Sequence, residues 1–453
     1  MKRKYFGTDG IRGEANSFPV VPEMMLRLGM AAGFYFHSLK GKPKIVIGKD
    51  TRLSGYMIEA ALMSGICSMG TDVLLLGPMP TPAIAFITHS MRADAGIVIS
   101  ASHNPFQDNG IKFFGADGMK LPDEAEASLE ELMERNDLER PTHGEVGRAF
   151  RINDAEGRYI VYVKSTIPKE VSLDGLRIVV DCANGAGYLV APSVFRELGA
   201  QCVTLGCEPD GLNINRNCGS THPEAMVRKV IETGSDLGVA LDGDGDRVIV
   251  ADSEGTIVDG DDILYICATH LDDLGQLQPR LVVGTVMTNM GLEAALRERG
   301  IALLRAPVGD RYVLEQMREN DAVLGGEPSG HLIFSRYGTT GDGILSALQL
   351  MRVMVETGMS LSDLRQGWRR YPQVMRNLTV REKRTLEGQE WYDRLLSRAR
   401  ERLGDDHLLS LRYSGTEPLL RITVSCPSQD LTREVSESLC SELVQRLGGA
   451  VEN

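Results

Sequence analysis

The chain has 453 residues, of which 42% are hydrophobic and 25% charged, a length and composition suited to roughly three or four domains with ample buried core. Its net charge of −13 and pI near 5.2 argue against non-specific partnership with nucleic acid or an anionic membrane surface. An anionic ligand would therefore need a local basic pocket.

Eight cysteines (67, 182, 202, 207, 218, 267, 426, 440) form no Cys-x-x-Cys pair or zinc-like spacing. Buried, reduced thiols of a cytoplasmic protein are the expectation. The start MKRKYFGTDG lacks the apolar stretch of a secretory signal, and no apolar run approaches the roughly 20 residues of a membrane helix.

In chain order, the first feature is a glycine-punctuated loop, Phe6–Gly13, that carries the basic Arg12. Pro43–Gly77 then reads as buried strand, polar turn, amphipathic helix, glycine and second apolar strand. Leu176–Gly206 and Pro279–Gly309 repeat that grammar, with Gly70, Gly199 and Gly300 where helix C-caps belong. The repeated βαβ unit predicts parallel strands covered by helices.

Between the first two repeats, Ile97-Val98-Ile99 runs into Ser100-Ala101-Ser102-His103-Asn104-Pro105. A buried strand delivers such a loop to the rim of a sheet, where ligands sit. Asn109-Gly110 predicts a tight reversal that returns Lys112 toward Ser102. A serine, a histidine and a lysine on one rigid loop suit a nucleophile or a phosphate carrier, and residue chemistry does not choose between Ser100 and Ser102.

After the apolar Leu237–Leu241 comes Asp242-Gly243-Asp244-Gly245-Asp246-Arg247. Three close carboxylates repel unless a cation sits among them, and hard oxygen ligands suit Mg²⁺ or Ca²⁺. An EF-hand is excluded, because its sixth and twelfth positions would be Arg247 and Ser253. Arg247 is placed to reach the same phosphate oxygens as the ion.

Gly325-Gly326-Glu327-Pro328-Ser329-Gly330-His331 offers an acceptor and a donor, Glu327 and Ser329, that suit vicinal sugar hydroxyls. His331 could hold a hydroxyl or phosphate, or move a proton. Val308-Gly309-Asp310-Arg311 ends the third repeat and adds charge at the same rim. Beyond a linker near Gly367–Pro372, expected strands at Asn377–Lys383 and Leu419–Ser425 and helices at Gln389–Leu403 and Asp430–Leu447 form a small α+β domain. Its loop Arg412–Pro418, with Ser414, Gly415 and Thr416, and Arg421 on the strand beyond, reads as an anion nest.

These loops together resemble the α-D-phosphohexomutase superfamily along essentially the whole chain: the serine loop, DGDGDR, GEPSGH and RYSGTEP stand in that family's order, one per domain. The resemblance implies an α/β fold of three related mixed-sheet domains, at 1–150, 151–253 and 254–368, plus a C-terminal α+β domain at 369–453, around a central cleft. It implies that Ser102 is the phosphorylated residue, and that Mg²⁺ is held by Asp242, Asp244, Asp246 and the phosphoserine. Glu327 and Ser329 would hold sugar hydroxyls. Thr8, Arg412, Ser414, Gly415, Thr416 and Arg421 would bind the rest of the phosphosugar. Lys112, Arg247, His331 and Arg12 would handle protons or charge.

FGTDGIRG, TNMGLE, VGDRY and TTGDGI further resemble the subgroup that interconverts glucosamine 6-phosphate and glucosamine 1-phosphate for cell-wall precursors. A sugar 1,6-bisphosphate would be its intermediate and activator. The rivals are a mannose or glucose phosphate mutase, and a sugar-phosphate-binding protein without turnover. A serine hydrolase is disfavoured, since the loop lacks Gly-x-Ser-x-Gly. The oligomeric state is left open, a homodimer being compatible with it.

Overall fold

The computed structural model describes residues 3–7, 9–39, 43–414 and 418–452. Thr8, Gly415 and Thr416 lie outside them. The chain divides into two compact units: one of 1–286 and 304–365, the other of 287–303 and 366–453.

Three of the four sheets formed by the described residues carry the βαβ repeat. The first has the strand order Ile11–Glu14, Asp108–Gly115, Ala95–Ile99, Lys44–Lys49, Asp72–Pro78 and Ala149–Arg151. Its repeat strands run parallel, with Ile45 opposite Val73, while Asp108–Gly115 returns antiparallel with Lys112 opposite Val98. The second sheet has the order Ile257–Val258, Val248–Asp252, Leu237–Leu241, Arg177–Asp181 and Gln201–Leu205. The third has the order Ala302–Ala306, Leu281–Thr285, Leu324–Gly326 and Leu332–Phe334. All three repeat helices form as expected, at Gly55–Ser68, Val190–Glu197 and Met290–Glu298. Gly70, Gly199 and Gly300 follow them at φ +83°, +105° and +70°, the left-handed geometry of a helix stop.

Within the first unit, strands buried on both faces read as unbroken apolar runs. Ile45, Ile47, Ile97 and Ile99 join Leu28, Leu62 and Ile66 of the covering helices in one core. Such strands cannot expose polar side chains along their length, so chemistry collects where they end. Lys44–Lys49 ends in Asp50-Thr51-Arg52, Ala95–Ile99 in the serine loop, Leu237–Leu241 in Asp242, and Leu324–Gly326 in Glu327.

The second unit holds the fourth sheet, antiparallel throughout, in the order Leu408–Tyr413, Leu419–Ser425, Gln373–Val380 and Gly449–Glu452. Helices Glu390–Leu403 and Gln429–Leu447 form its core with Leu420, Ile422 and Val424. Two sequence expectations are corrected here. Arg412 and Tyr413 belong to a strand rather than a loop, because Leu408–Tyr413 pairs along Leu419–Ser425. Asn109-Gly110 makes no reversal; both lie inside Asp108–Gly115, where Gly110 faces Arg12 of the neighbouring strand. A Cβ on Gly110 would meet the Ser100 carbonyl at 2.7 Å, so close packing, not a turn, uses this glycine. Among the described residues, no helix is long and apolar enough to cross a membrane.

Candidate active site

The serine loop separates the two serines by environment. Ser100 is fully buried; its hydroxyl donates to Asp50 at 2.6 Å and accepts the Ser102 N–H at 2.9 Å. Ser102 stands at φ +50°, a conformation an L-residue holds only when its surroundings impose it. The fully buried Arg52 supplies that constraint. Its guanidinium donates to the carbonyls of Ser102 and Asn104 at 2.9 Å each and of Asp108 at 3.1 Å, while pairing with Asp50 at 2.8 Å. Asn215 donates to the same Ser102 and Asn104 carbonyls from the turn region that follows strand Gln201–Leu205. The Ser102 hydroxyl is thereby aimed at Asp242 Oδ2, to which it donates at 2.6 Å.

Asp242, Asp244 and Asp246 are buried, with ligand oxygens all within 4.8 Å of one another. Gly243 lets their loop lie against the serine loop, since a Cβ there would meet the Ser102 carbonyl at 2.6 Å. Asp242 also accepts the Arg247 N–H at 3.1 Å, and Asp244 Oδ2 accepts the Thr81 hydroxyl at 2.8 Å. The Oδ1 atoms of Asp244 and Asp246 are buried with no hydrogen-bond partner. Burial, and then repulsion from Asp246 and Asp244, pushes the Asp242 carboxyl well above the usual carboxylate range. Orphaned hard oxygens under mutual repulsion fit a small divalent cation, so these residues could hold a metal ion.

Cations and a histidine surround the carboxylates. Lys112 is buried, with Nζ 3.1 Å from Asp9, 3.5 Å from Asp244 and 3.9 Å from Asp246. Burial alone would lower its pKa, but Asp9, Asp244 and Asp246 outweigh it and keep the ammonium charged. Arg12 pairs with Asp9 and Arg247 lies 3.9 Å from Asp246. His331 turns Nδ1 toward Asp246 at 3.6 Å, and its Nε2 accepts the Gly341 N–H at 3.0 Å. That hydrogen bond assigns the proton to Nδ1. His103 Nδ1 lies 3.4 Å from the Ser102 hydroxyl, and burial followed by Arg247 and Arg12 lowers its pKa.

Loop 327–331 packs beside the aspartate loop, Val248 N–H donating to the Gly330 carbonyl. Glu327 accepts the Ser329 hydroxyl at 3.1 Å and the Gly309 N–H at 2.9 Å, so the two sugar-loop residues point at one another. Ser102, Lys112, Asp246, Arg247, Glu327 and His331 line a single cavity of about 580 Å³ with Arg12 and Asp9. That volume lies within the usual range for small-molecule sites.

Arg412, Ser414 and Arg421 belong to the second unit. Arg412 and Arg421 are direct cross-strand partners, and Ser414 is buried beside them, its carbonyl taking the Lys383 ammonium at 2.6 Å.

Sequence reasoning missed Asp50, Arg52, Thr81 and Asn215, which hold the loops. It also missed Asp9 at the cavity wall, Lys120 paired with Asp9, and Lys383 in the second unit. The polar triplet Asp50-Thr51-Arg52 at the end of a repeat strand carried a usable signal. Asn215, in irregular chain, carried none.

The chain belongs to the phosphoglucomutase/phosphomannomutase family, a group of phosphohexomutases. Residues 3–140, 157–255 and 259–371 match its alpha/beta/alpha domains I, II and III, and 370–442 match its C-terminal domain. The chain is 53% identical over 449 residues to a phosphoglucosamine mutase of Geobacter sp. (strain M21), covering 99% of each. It is 56% identical over 423 residues to that of Pelobacter propionicus, covering 93% of each. A solved phosphoglucomutase/phosphomannomutase family protein from Burkholderia thailandensis superposes with a TM-score of 0.83 at 25% identity, over 99% of this chain and 98% of that one. An N-acetylphosphoglucosamine mutase from Aspergillus fumigatus shares the fold at TM-score 0.65 and 15% identity, over 98% of this chain and 96% of that one.

Proposed function

We propose that the chain interconverts glucosamine 6-phosphate and glucosamine 1-phosphate, with phosphorylated Ser102 as the carrier and glucosamine 1,6-bisphosphate as the intermediate. One observation carries this reading: the strained Ser102 places its hydroxyl 2.6 Å from a buried three-carboxylate cluster in a sugar-sized cavity. Mg²⁺ is the cation proposed for Asp242, Asp244 and Asp246, where it would offset charge building on a transferring phosphoryl group.

The residues of the chain divide the remaining work. Glu327 and Ser329 hold sugar hydroxyls, which fixes the ring while leaving either end free to face Ser102. A bond forms between phosphorus and the sugar oxygen as the bond to Ser102 Oγ breaks. The proton of the attacking hydroxyl passes to the departing Ser102 Oγ; in the second transfer a bond forms between Ser102 Oγ and the other phosphorus as its bond to the sugar oxygen breaks, and the serine proton goes to that sugar oxygen. Lys112 and Arg247, both charged, stabilise the equatorial phosphoryl oxygens, and Arg12 extends that charge toward the cavity. His331, with both ring nitrogens engaged, holds Asp246 in place. The neutral His103 is within reach of Ser102 Oγ for proton traffic. Arg412, Ser414 and Arg421 are assigned the phosphate that is not reacting, together with Thr8, Gly415 and Thr416 by family likeness.

The preference for an amino sugar rests on relatives named phosphoglucosamine mutase that match over 99% of this chain. Glucosamine, glucose and mannose 6-phosphates should be offered side by side with Mg²⁺ and a trace of bisphosphate. Glucosamine 6-phosphate is expected to give the highest kcat/KM. A higher value for glucose or mannose would move the substrate assignment without touching the chemistry.

A further inference from the structure

The side chain of Lys120 is absent from every role above, yet it occupies the junction between two parts of the cavity wall. Strand Asp108–Gly115 ends in a tight loop in which the Gly115 N–H donates to the Met119 carbonyl and the Leu121 N–H to the Phe113 carbonyl. The loop thereby presents Lys120 to two carboxylates at once. Its Nζ lies 2.5 Å from Asp9 Oδ1 and 2.5 Å from Asp310 Oδ2. Asp9 belongs to the N-terminal loop and also takes Lys112 and Arg12. Asp310 opens helix Asp310–Glu319 beside the third sheet and lies 3.9 Å from His331 Nε2. One ammonium therefore ties the group that holds Lys112 to the group that faces His331.

A second pair crosses the same seam in the opposite sense: Arg311 of the helix contacts Asp123, three residues beyond Lys120. The Thr339 hydroxyl adds a hydrogen bond to the Gly118 carbonyl. Opening such a seam returns both partners of each pair to water, so it leaves no charge buried alone. A seam of ion pairs therefore suits a wall that must admit a sugar phosphate and then close.

We propose that Lys120 is a positioning residue, a latch that holds the two walls of the cavity together while the bisphosphate turns. The inference rests on the mutase reading. Without the latch, the intermediate escapes before its second transfer, and activity comes to depend on bisphosphate supplied from solution.

The test uses the full chain with Mg²⁺, glucosamine 6-phosphate and added glucosamine 1,6-bisphosphate. In Lys120→Met, the bisphosphate concentration for half-maximal rate is expected to rise about tenfold, the scale of losing a charge-assisted contact, with KM for the monophosphate changing far less. Bisphosphate released per product formed should rise in parallel, and Lys120→Arg should restore both readouts to within about threefold of wild type. A merely structural lysine would lower the melting temperature and leave the bisphosphate requirement where it was; that result overturns the latch. Lys120→Gln carries the same test if Lys120→Met does not fold, and failure of both to fold assigns Lys120 to the scaffold instead. Should the wild type show no Ser102-dependent interconversion, it is the mutase reading that falls; a working wild type matched by Lys120→Met removes the latch alone.

Discussion

Ser102 and Arg421 stand near strand ends in different units, and their surroundings differ in kind. Ser102 is 2% exposed, its carbonyl takes hydrogen bonds from Arg52 and Asn215, and its hydroxyl is committed to Asp242. Arg421 is half-buried on an antiparallel sheet, opposite the exposed Arg412, with positive charge concentrated at one cross-strand position. The first arrangement fixes one atom to within a hydrogen bond. The second sets two guanidiniums opposite each other, and on the proposed reading they hold a phosphate. A mutase needs both: a reacting oxygen that does not move, and a phosphate grip that accepts either end of the sugar.

The largest expected effect breaks the first side of that contrast. Ser102→Ala should abolish interconversion while circular dichroism and melting stay near wild type. Incorporation of label from a phosphosugar into the purified protein should vanish with it. Retained turnover would transfer the carrier role to another hydroxyl. Next in size, Asp244→Asn keeps an acceptor for Thr81 but removes a charge from the cluster. We expect kcat to fall by about 100-fold and the Mg²⁺ concentration for half-maximal rate to rise. An unchanged Mg²⁺ requirement would take Asp244 out of the metal site.

How much of this was legible in the sequence follows the same division between local and distant. The βαβ repeat and the Asp-Gly-Asp-Gly-Asp run are local patterns, and the structure realises both. The choice of Ser102 over Ser100 came from family likeness, and the structure now supplies a physical reason in Ser100's bond to Asp50. Partners joined across long stretches of chain were invisible: Arg52 meets Ser102 from 50 residues away, Asn215 from 113, and Lys120 meets Asp310 from 190. Asn109-Gly110 misled for the converse reason. Its turn chemistry is real in isolation, but strand Ile11–Glu14 pairs against it and tertiary packing overrides the local preference.

The second side of the contrast is tested by Arg421→Ala. On the proposed assignment of Arg421 to the non-reacting phosphate, its removal should weaken binding by about 1–3 kcal/mol, seen as a higher KM with a smaller change in kcat. The split matters more than the size. If kcat fell and KM held, Arg421 would belong with the preorganised groups and its contrast with Ser102 would disappear.

The smallest effect concerns Ser100, and it separates bracing from chemistry. Ser100→Ala removes the hydroxyl that accepts the Ser102 N–H and donates to Asp50, leaving that buried N–H without its partner. Arg52 still holds the Asp50 carboxylate and the Ser102 carbonyl, so the loop keeps most of its constraint. The expected outcome is a stability loss of about 1 kcal/mol, read as a lower denaturant midpoint at unchanged m-value, with kcat reduced only severalfold. A loss of turnover as complete as that of Ser102→Ala, in a folded protein, would mean that the conformation of Ser102 depends on this one hydrogen bond. The φ of +50° would then be held by Ser100 rather than shared among Arg52, Asn215 and the aspartate loop.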